Sequence, residues 1–99
     1  MSLSNTIKKS YKNLGHTLKP VVTIAGNGLS DGVQTEIIRA LTDHELIKIK
    51  IAIEDRETRS EVVAELCKSS KSELIQQIGK VALIYRKSDK KDIKTSNVR

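Results

Sequence analysis

The stretch from Glu45 to Ile53 constrains this chain more than any other. Ile47, Ile49, Ile51 and Ile53 recur at every second position, and Leu46, Lys48, Lys50 and Ala52 occupy the alternate ones. Side chains on a strand point to opposite faces in turn, so this period of two predicts a strand over 45–53. One face is wholly apolar and has to be buried. The other carries two lysines, and at those positions it has to meet solvent or a ligand.

The neighbouring segments supply partners for that strand. Ser4 to Leu14 reads as a helix, with Ile7, Tyr11 and Leu14 at i, i+4 and i+7, Ser4 as N-cap and Gly15 as a left-handed stop. Lys8, Lys9 and Lys12 lie away from its apolar stripe. Pro20 opens a β-branched run, Val21 to Ile24, expected as a strand. A turn follows over 25–28. Ser30 then caps a second helix, with Asp31 in its first turn and a stripe of Val33, Ile37 and Leu41. A third helix starts between Asp55 and Thr58. Asp55 fits as its cap, and Thr58 with Glu61 fits the capping-box spacing. Val62, Val63, Leu66 and Cys67 are its expected buried face. Leu74–Ile78 and Val81–Tyr85 read as strands joined at Gly79-Lys80, a type II′ turn pattern. The order is α-β-α-β-α-β-β. This predicts an α/β fold, with right-handed crossovers and a mixed four-stranded sheet packed by helices. Residues 1–87 are expected to form one domain and 88–99 a flexible, basic, polar tail, with Ile93 and Val98 its only large apolar residues.

Composition removes several functional classes. A chain of 99 residues makes one small domain. No run approaches the roughly 20 apolar residues of a membrane helix. Met1 to Asn5 is polar with no apolar stretch after it, so no secretory signal is expected. Cys67 is the single cysteine and can form no internal disulfide, which fits a reducing cytoplasm. It reads as core filler. His16 and His44 have no cysteine or carboxylate at ligand spacing, so no metal is expected. No nucleophile–base arrangement or carboxylate pair stands out. The expectation is a monomeric, cytoplasmic binding protein with no catalytic residue, no cofactor, no small-molecule substrate and no membrane contact.

Charge indicates what it binds. The net charge is +6, with the excess at the ends. Residues 1–20 hold Lys8, Lys9, Lys12 and Lys19 and no acid, and residues 86–99 also carry +4, whereas 21–85 carry −2. Basic flanks brought together by the fold suit a polyanion, although such tails can also serve solubility alone. Tyr11 and Tyr85 are the only aromatics, too few for binding by base stacking, so phosphate and sugar contacts should dominate. Gly26-Asn27-Gly28, after a strand and before a helix, permits positive φ and close approach of a phosphate to backbone. It lacks the Lys-Ser/Thr of a nucleotide P-loop, and an ordinary tight turn has the same pattern. Lys48 and Lys50 suit a phosphate backbone or a solvated strand face. Arg56 and Arg59 oppose the dipole at the start of the third helix, or pair with Glu54, Asp55 and Glu57.

Several motifs resemble one family. They are Leu14-Gly15-His16-Thr17-Leu18-Lys19-Pro20-Val21-Val22, Asn27-Gly28-Leu29-Ser30-Asp31-Gly32-Val33, His44-Glu45-Leu46-Ile47-Lys48-Ile49-Lys50 and Asp55-Arg56-Glu57-Thr58. Ile78-Gly79-Lys80 and Leu83-Ile84-Tyr85-Arg86 complete the set. Together, over about residues 4–86, they resemble the chloroplast RNA splicing and ribosome maturation (CRM) domain in its bacterial, single-domain, YhbY-like form. The resemblance implies a fold related to the C-terminal domain of a translation initiation factor, and binding of structured ribosomal RNA in assembly of the large (pre-50S) subunit. It implies a KH-like GxxG loop as an RNA contact, here Gly26, Asn27 and Gly28. Lys19, Lys48, Lys50, Arg56, Arg59, Lys80 and Arg86 are the basic positions it carries over as candidate RNA ligands. The family's first loop glycine falls on Ala25. If that position needs positive φ, alanine costs about 1–2 kcal/mol; otherwise its φ is negative or Gly26 takes over the flexibility. Two rivals stand beside this reading. One is a ribosome-associated protein-interaction module with incidental RNA contact. The other is a small enzyme using the turn as an anion site, for which Asp31 is the only titratable neighbour.

Overall fold

The structure is a computed structural model describing residues 3–26, 28–91 and 93–99. The central strand is β2 (Leu46–Ile51), flanked by β1 (Pro20–Ile24) and β4 (Val81–Tyr85), with β3 (Glu73–Ile78) outside β4. β1 runs parallel to β2, and β4 is antiparallel to both β2 and β3. The sheet is therefore mixed, and the helical crossovers from β1 to β2 and from β2 to β3 each join parallel strands. The helices are α1 (Asn5–Gly15), α2 (Asp31–His44) and α3 (Arg56–Ser70). The α/β order and four-stranded sheet expected from the sequence are present.

Each helix starts on its expected cap. Ser4 Oγ accepts the Ile7 N–H and Ser30 Oγ the Val33 N–H, both at 3.2 Å. At α3, Asp55 is the cap. It accepts the Thr58 N–H at 2.9 Å and the Thr58 hydroxyl at 2.6 Å, so Thr58 serves Asp55 instead of capping the helix itself. In the hairpin, Gly79 has φ +56, and Lys80 is not in the left-handed region, which fits the type II′ turn.

The two sheet faces are covered unequally. Ile47, Ile49 and Ile51 pack with Val22, Ile24, Ala82 and Ile84 under α2 and α3, whose Ile37, Leu41, Val63 and Leu66 close the main core. Cys67 joins that core's edge, and burial pushes its thiol pKa up. On the other face α1 covers only one end, where Tyr11 joins Leu46, Ile75 and Leu83. Tyr11 and Tyr85 lie with ring centroids 5.0 Å apart, and burial pushes the Tyr85 hydroxyl up to about 12.

Three expectations need correction. The strand ends at Ile51, so Ile53 meets the core from the following link. Gly15 is not a left-handed stop. It is the last residue of α1, and a Cβ there would sit 2.6 Å from Leu83 Cδ2, so glycine is needed for close packing. Ile7 and Leu14 stay exposed because the helix rests on the sheet through Tyr11 and Gly15.

The described residues of the tail run back over the end of α2. The anchor is Glu45, also read as strand, which has φ +64 and is 1% exposed. Its carboxylate accepts the Ser88 N–H at 2.6 Å, the Ser96 hydroxyl at 2.8 Å and Arg99 Nε at 2.8 Å. Asn97 Nδ2 donates to the Leu46 carbonyl at 2.7 Å, and Thr95 Oγ1 to the Asp43 carbonyl at 2.7 Å. Burial pushes the Glu45 pKa up, but the Ser88 N–H, Arg99 and Ser96 outweigh it and hold the group below its ordinary 4.5.

A carboxylate with a depressed pKa stabilises the fold fully above its ordinary value, and the contribution vanishes as pH falls through the lowered one. Glu45→Gln should therefore cost about 1.5–3 kcal/mol at pH 7. In thermal unfolding the gap from the parent protein should narrow as pH falls below the ordinary 4.5 and through the lowered value; a gap that stays constant with pH would contradict the clasp. Gly15→Ala should also destabilise, since overpacking (about 1–3 kcal/mol) exceeds the roughly 1 kcal/mol gained in helix propensity. An unchanged or raised melting temperature would contradict the close approach to Leu83.

Candidate nucleic-acid interface

Main-chain bonds draw three segments together at one end of the sheet. Ile24 stands opposite Ile51 in register, and the Ala52 N–H donates to the Ile24 carbonyl at 2.7 Å. The Ile51 N–H donates to the Lys80 carbonyl at 2.6 Å. The glycine turn after β1, the link from β2 into α3 and the β3–β4 hairpin are thus one structural unit.

The turn closes through the Gly28 N–H, which donates to the Ala25 carbonyl at 3.0 Å. Gly28 has φ +74, a conformation that disfavours any side chain. Ala25 is outside the left-handed region, so alanine is tolerated there without strain. Gly26 differs from both. Its φ is not left-handed, and an added Cβ would meet nothing within 4 Å. Neither backbone conformation nor internal packing requires glycine at 26. Asn27, the remaining residue expected in the loop site, lies outside the described residues. Asp31, in the first turn of α2, puts a carboxylate beside the loop at the positive end of the dipole.

The expected cations divide into three groups. Arg56, Arg59 and Lys80 lie at the loop end. Arg56 and Arg59 line a hollow of about 370 Å³ with Ser60, Gln77 and Gly79. Arg59 Nη1 donates to the Ile53 and Glu54 carbonyls at 2.8 and 2.7 Å, which pins the β2–α3 link, while its buried Nε has no partner among the described residues. Lys80 meets Glu54 at 2.5 Å and holds that carboxyl below its ordinary value. The Glu54 side chain is 91% exposed, so the pair is screened and weak.

Lys50 and Lys48 form the second group, on the open face of β2, about 6–7 Å apart along the strand. Neither enters the four ion pairs among the described residues. Lys50 stands opposite Thr23 and Lys48 opposite Pro20, next to Lys19. Lys19 and Lys48 share a shallow hollow with Leu18, Val21 and Asn97. Lys50, Lys48 and Lys19 thus form a line from the loop end towards the other end of the sheet.

Arg86 stands alone at that other end and does not join the site. It donates to the Ser70 carbonyl at 3.1 Å, the Ile38 carbonyl at 3.3 Å and Thr42 Oγ1 at 2.8 Å, tying α2 to α3. The sequence reading missed His16, Thr23, Gln76 and Ile78, which sit on or beside the open face. The available signal was Gln76-Gln77, which interrupts the apolar run of β3. Among the described residues no cluster of three His, Cys, Asp or Glu is placed to hold a metal, and no helix is long and apolar enough to cross a membrane.

Comparison with known proteins adds independent findings. The model of the CRS1 / YhbY (CRM) domain matches residues 3–86. A probable RNA-binding protein of Pseudomonas aeruginosa is 50% identical over 98 residues, covering 99% of this chain and 94% of that one. An RNA-binding protein of Haemophilus influenzae is 42% identical over 92 residues, covering 93% of each. A probable RNA-binding protein of Bacillus subtilis, YqeI, is 30% identical over 86 residues, covering 87% of this chain and 90% of that one. The solution structure of the hypothetical protein SAV1595 from Staphylococcus aureus superposes with TM-score 0.79 at 27% identity, covering 92% of this chain and 95% of that one.

The loop geometry predicts a contrast in stability. Gly28→Ala should cost about 1–2 kcal/mol, because its Cβ has room but its φ is unfavourable. Ala25→Gly should change thermal stability by less than about 1 kcal/mol, as no strain is relieved. Equal effects in thermal unfolding would contradict the assigned φ values.

Proposed function

The chain belongs to the CRS1/YhbY (CRM) domain family, and on that premise we propose that it grips the phosphate backbone of structured ribosomal RNA during large-subunit assembly. Its function is binding and not catalysis. The reading places it in the cytoplasm, as a monomer whose RNA-binding unit spans residues 1–87. The relatives named as RNA-binding proteins support the RNA part of this reading.

One observation carries it to a site. Among the described residues neither packing nor a left-handed φ gives Gly26 a reason to be glycine, and bare backbone there suits the close approach of something outside. The phosphate backbone is such a partner, since it can come within hydrogen-bond reach of main-chain N–H groups where no side chain intervenes. Arg56, Lys80 and Lys50 supply the surrounding positive charge. Asp31 opposes it, which confines phosphate to the side of the loop away from that carboxylate. Tyr11 and Tyr85 pack on each other and offer no platform for stacked bases, in keeping with recognition by backbone and RNA shape.

The test is a titration of the protein against a structured ribosomal RNA fragment across a salt series. A log–log slope steeper than about −3 is expected, at roughly 0.7–0.9 per phosphate neutralised. Gly26→Val should weaken binding about tenfold while leaving thermal stability unchanged, and Lys50→Glu should also flatten the slope. A shallow slope with no effect of either substitution would move the function to protein contacts.

A further inference from the structure

The open face of the sheet holds a hollow that phosphate contacts do not explain. It lies where α1 ends, has a volume of about 230 Å³, and is lined by Gly15, His16, Lys48, Gln76, Ile78, Val81 and Leu83. Pockets for drug-sized ligands run from about 300 to 1,000 Å³, so this one suits a single ring system. Ile78, Val81 and Leu83 give it aliphatic walls. Leu83 closes the side under α1, and Ile78 on edge strand β3 stands opposite Val81 with 62% of its surface exposed. Polar groups enter from three sides, the Gln76 amide from β3, the Lys48 ammonium from β2 and the His16 imidazole from the end of α1.

We propose that this hollow takes one unpaired nucleobase from the RNA that the protein binds. The proposal rests on the RNA-binding reading and adds a base-selective contact to it. The argument is one of complementarity. An extruded base is a flat ring with apolar faces and a polar edge, and proteins hold one between apolar side chains while reading the edge by hydrogen bonds. Here the aliphatic walls meet the faces, and Gln76 presents one donor and one acceptor to the edge. Adenine, with N6 a donor and N7 an acceptor, is the matching partner for such an amide.

Charge indicates a nucleotide over a protein side chain. The open face beside the hollow presents Val21, Thr23, Lys48, Lys50, Gln76 and Ile78, with no acid among them. Lys48 and Lys50 are unpaired among the described residues. A nucleic acid strand satisfies both features at once, with phosphates on the lysine line and a base in the hollow. The line also leads back to the glycine loop, so a strand held there can reach the hollow without leaving the protein.

The test compares a short oligoadenylate with the same strand carrying one abasic nucleotide. Chain length and phosphate charge are then equal. The abasic strand should bind about tenfold more weakly, and the intact strand alone should shift the backbone NMR signals of Gln76, Ile78 and Val81. In Gln76→Ala, affinity for the intact strand should fall towards that for the abasic one, with the salt slope unchanged. Val81→Ser serves as the second variant if Gln76→Ala perturbs folding. Equal affinities with unmoved signals at the hollow would overturn the base site while leaving the RNA-binding reading intact. Absence of salt-dependent binding by either strand, together with failure of the structured RNA titration, would overturn both.

Discussion

Burial of one face of β2 is the constraint on which the rest of the structure depends. Ile47, Ile49 and Ile51 are at most 1% exposed, and burying an aliphatic side chain of that size contributes about 1.5–3 kcal/mol. A domain of this length has few such contributions available. β2 also draws its neighbours from opposite parts of the chain, β1 before it and β4 after it. Its register with both places the ends of three segments side by side, and the bonds from Ile51 and Ala52 fasten them. The glycine loop and the hairpin are therefore positioned by main chain. Among the side chains there, Arg59 adds to this frame by holding the β2–α3 link, whereas Lys50 enters none of the ion pairs among the described residues.

The same alternation that buries the isoleucines sends Lys48 and Lys50 to the opposite face. An ammonium group under a helix would cost several kcal/mol in desolvation unless paired, so a second helix could not cover this stretch as it stands. α1 accordingly stops at Leu83 and Gly15, and the face beyond it stays open. In a sheet with two helices on one side and one on the other, the uncovered strip is a necessary result of the sequence pattern.

Local features of the fold were legible in the sequence because their causes are local. The period of two in β2, the caps Ser4, Ser30 and Asp55, and the Gly79 turn each act within a few residues. Gly26 and Gly28 were legible as a candidate site for the same reason. The features that sequence reading missed depend on partners far along the chain. Glu45 looked like the start of a strand, yet its partners are Ser88, Ser96 and Arg99. Gly15 looked like a stop signal, and its reason is Leu83. Arg86 looked like a ligand for RNA, and its guanidinium also joins two helices, which the sequence did not show. A charge in sequence carries no sign of whether the fold will use it internally.

That distinction changes the meaning of the net charge. The basic flanks do come together, since Leu3 and Val98 pack into the same small cluster. They meet at the end of the sheet away from the glycine loop, however, and three of their cations are engaged there. Lys8 faces Glu73, Lys90 faces Asp43 and Arg99 faces Glu45. The cations nearest the loop, Lys50, Arg56, Arg59 and Lys80, belong to the middle of the chain, whose own balance is negative. Acids there, such as Asp55 and Glu54, are engaged at the α3 cap and by Lys80. Local potential at the candidate site is thus set by which charges are internally satisfied, and part of the excess at the termini, Lys8, Lys90 and Arg99, fastens the chain ends.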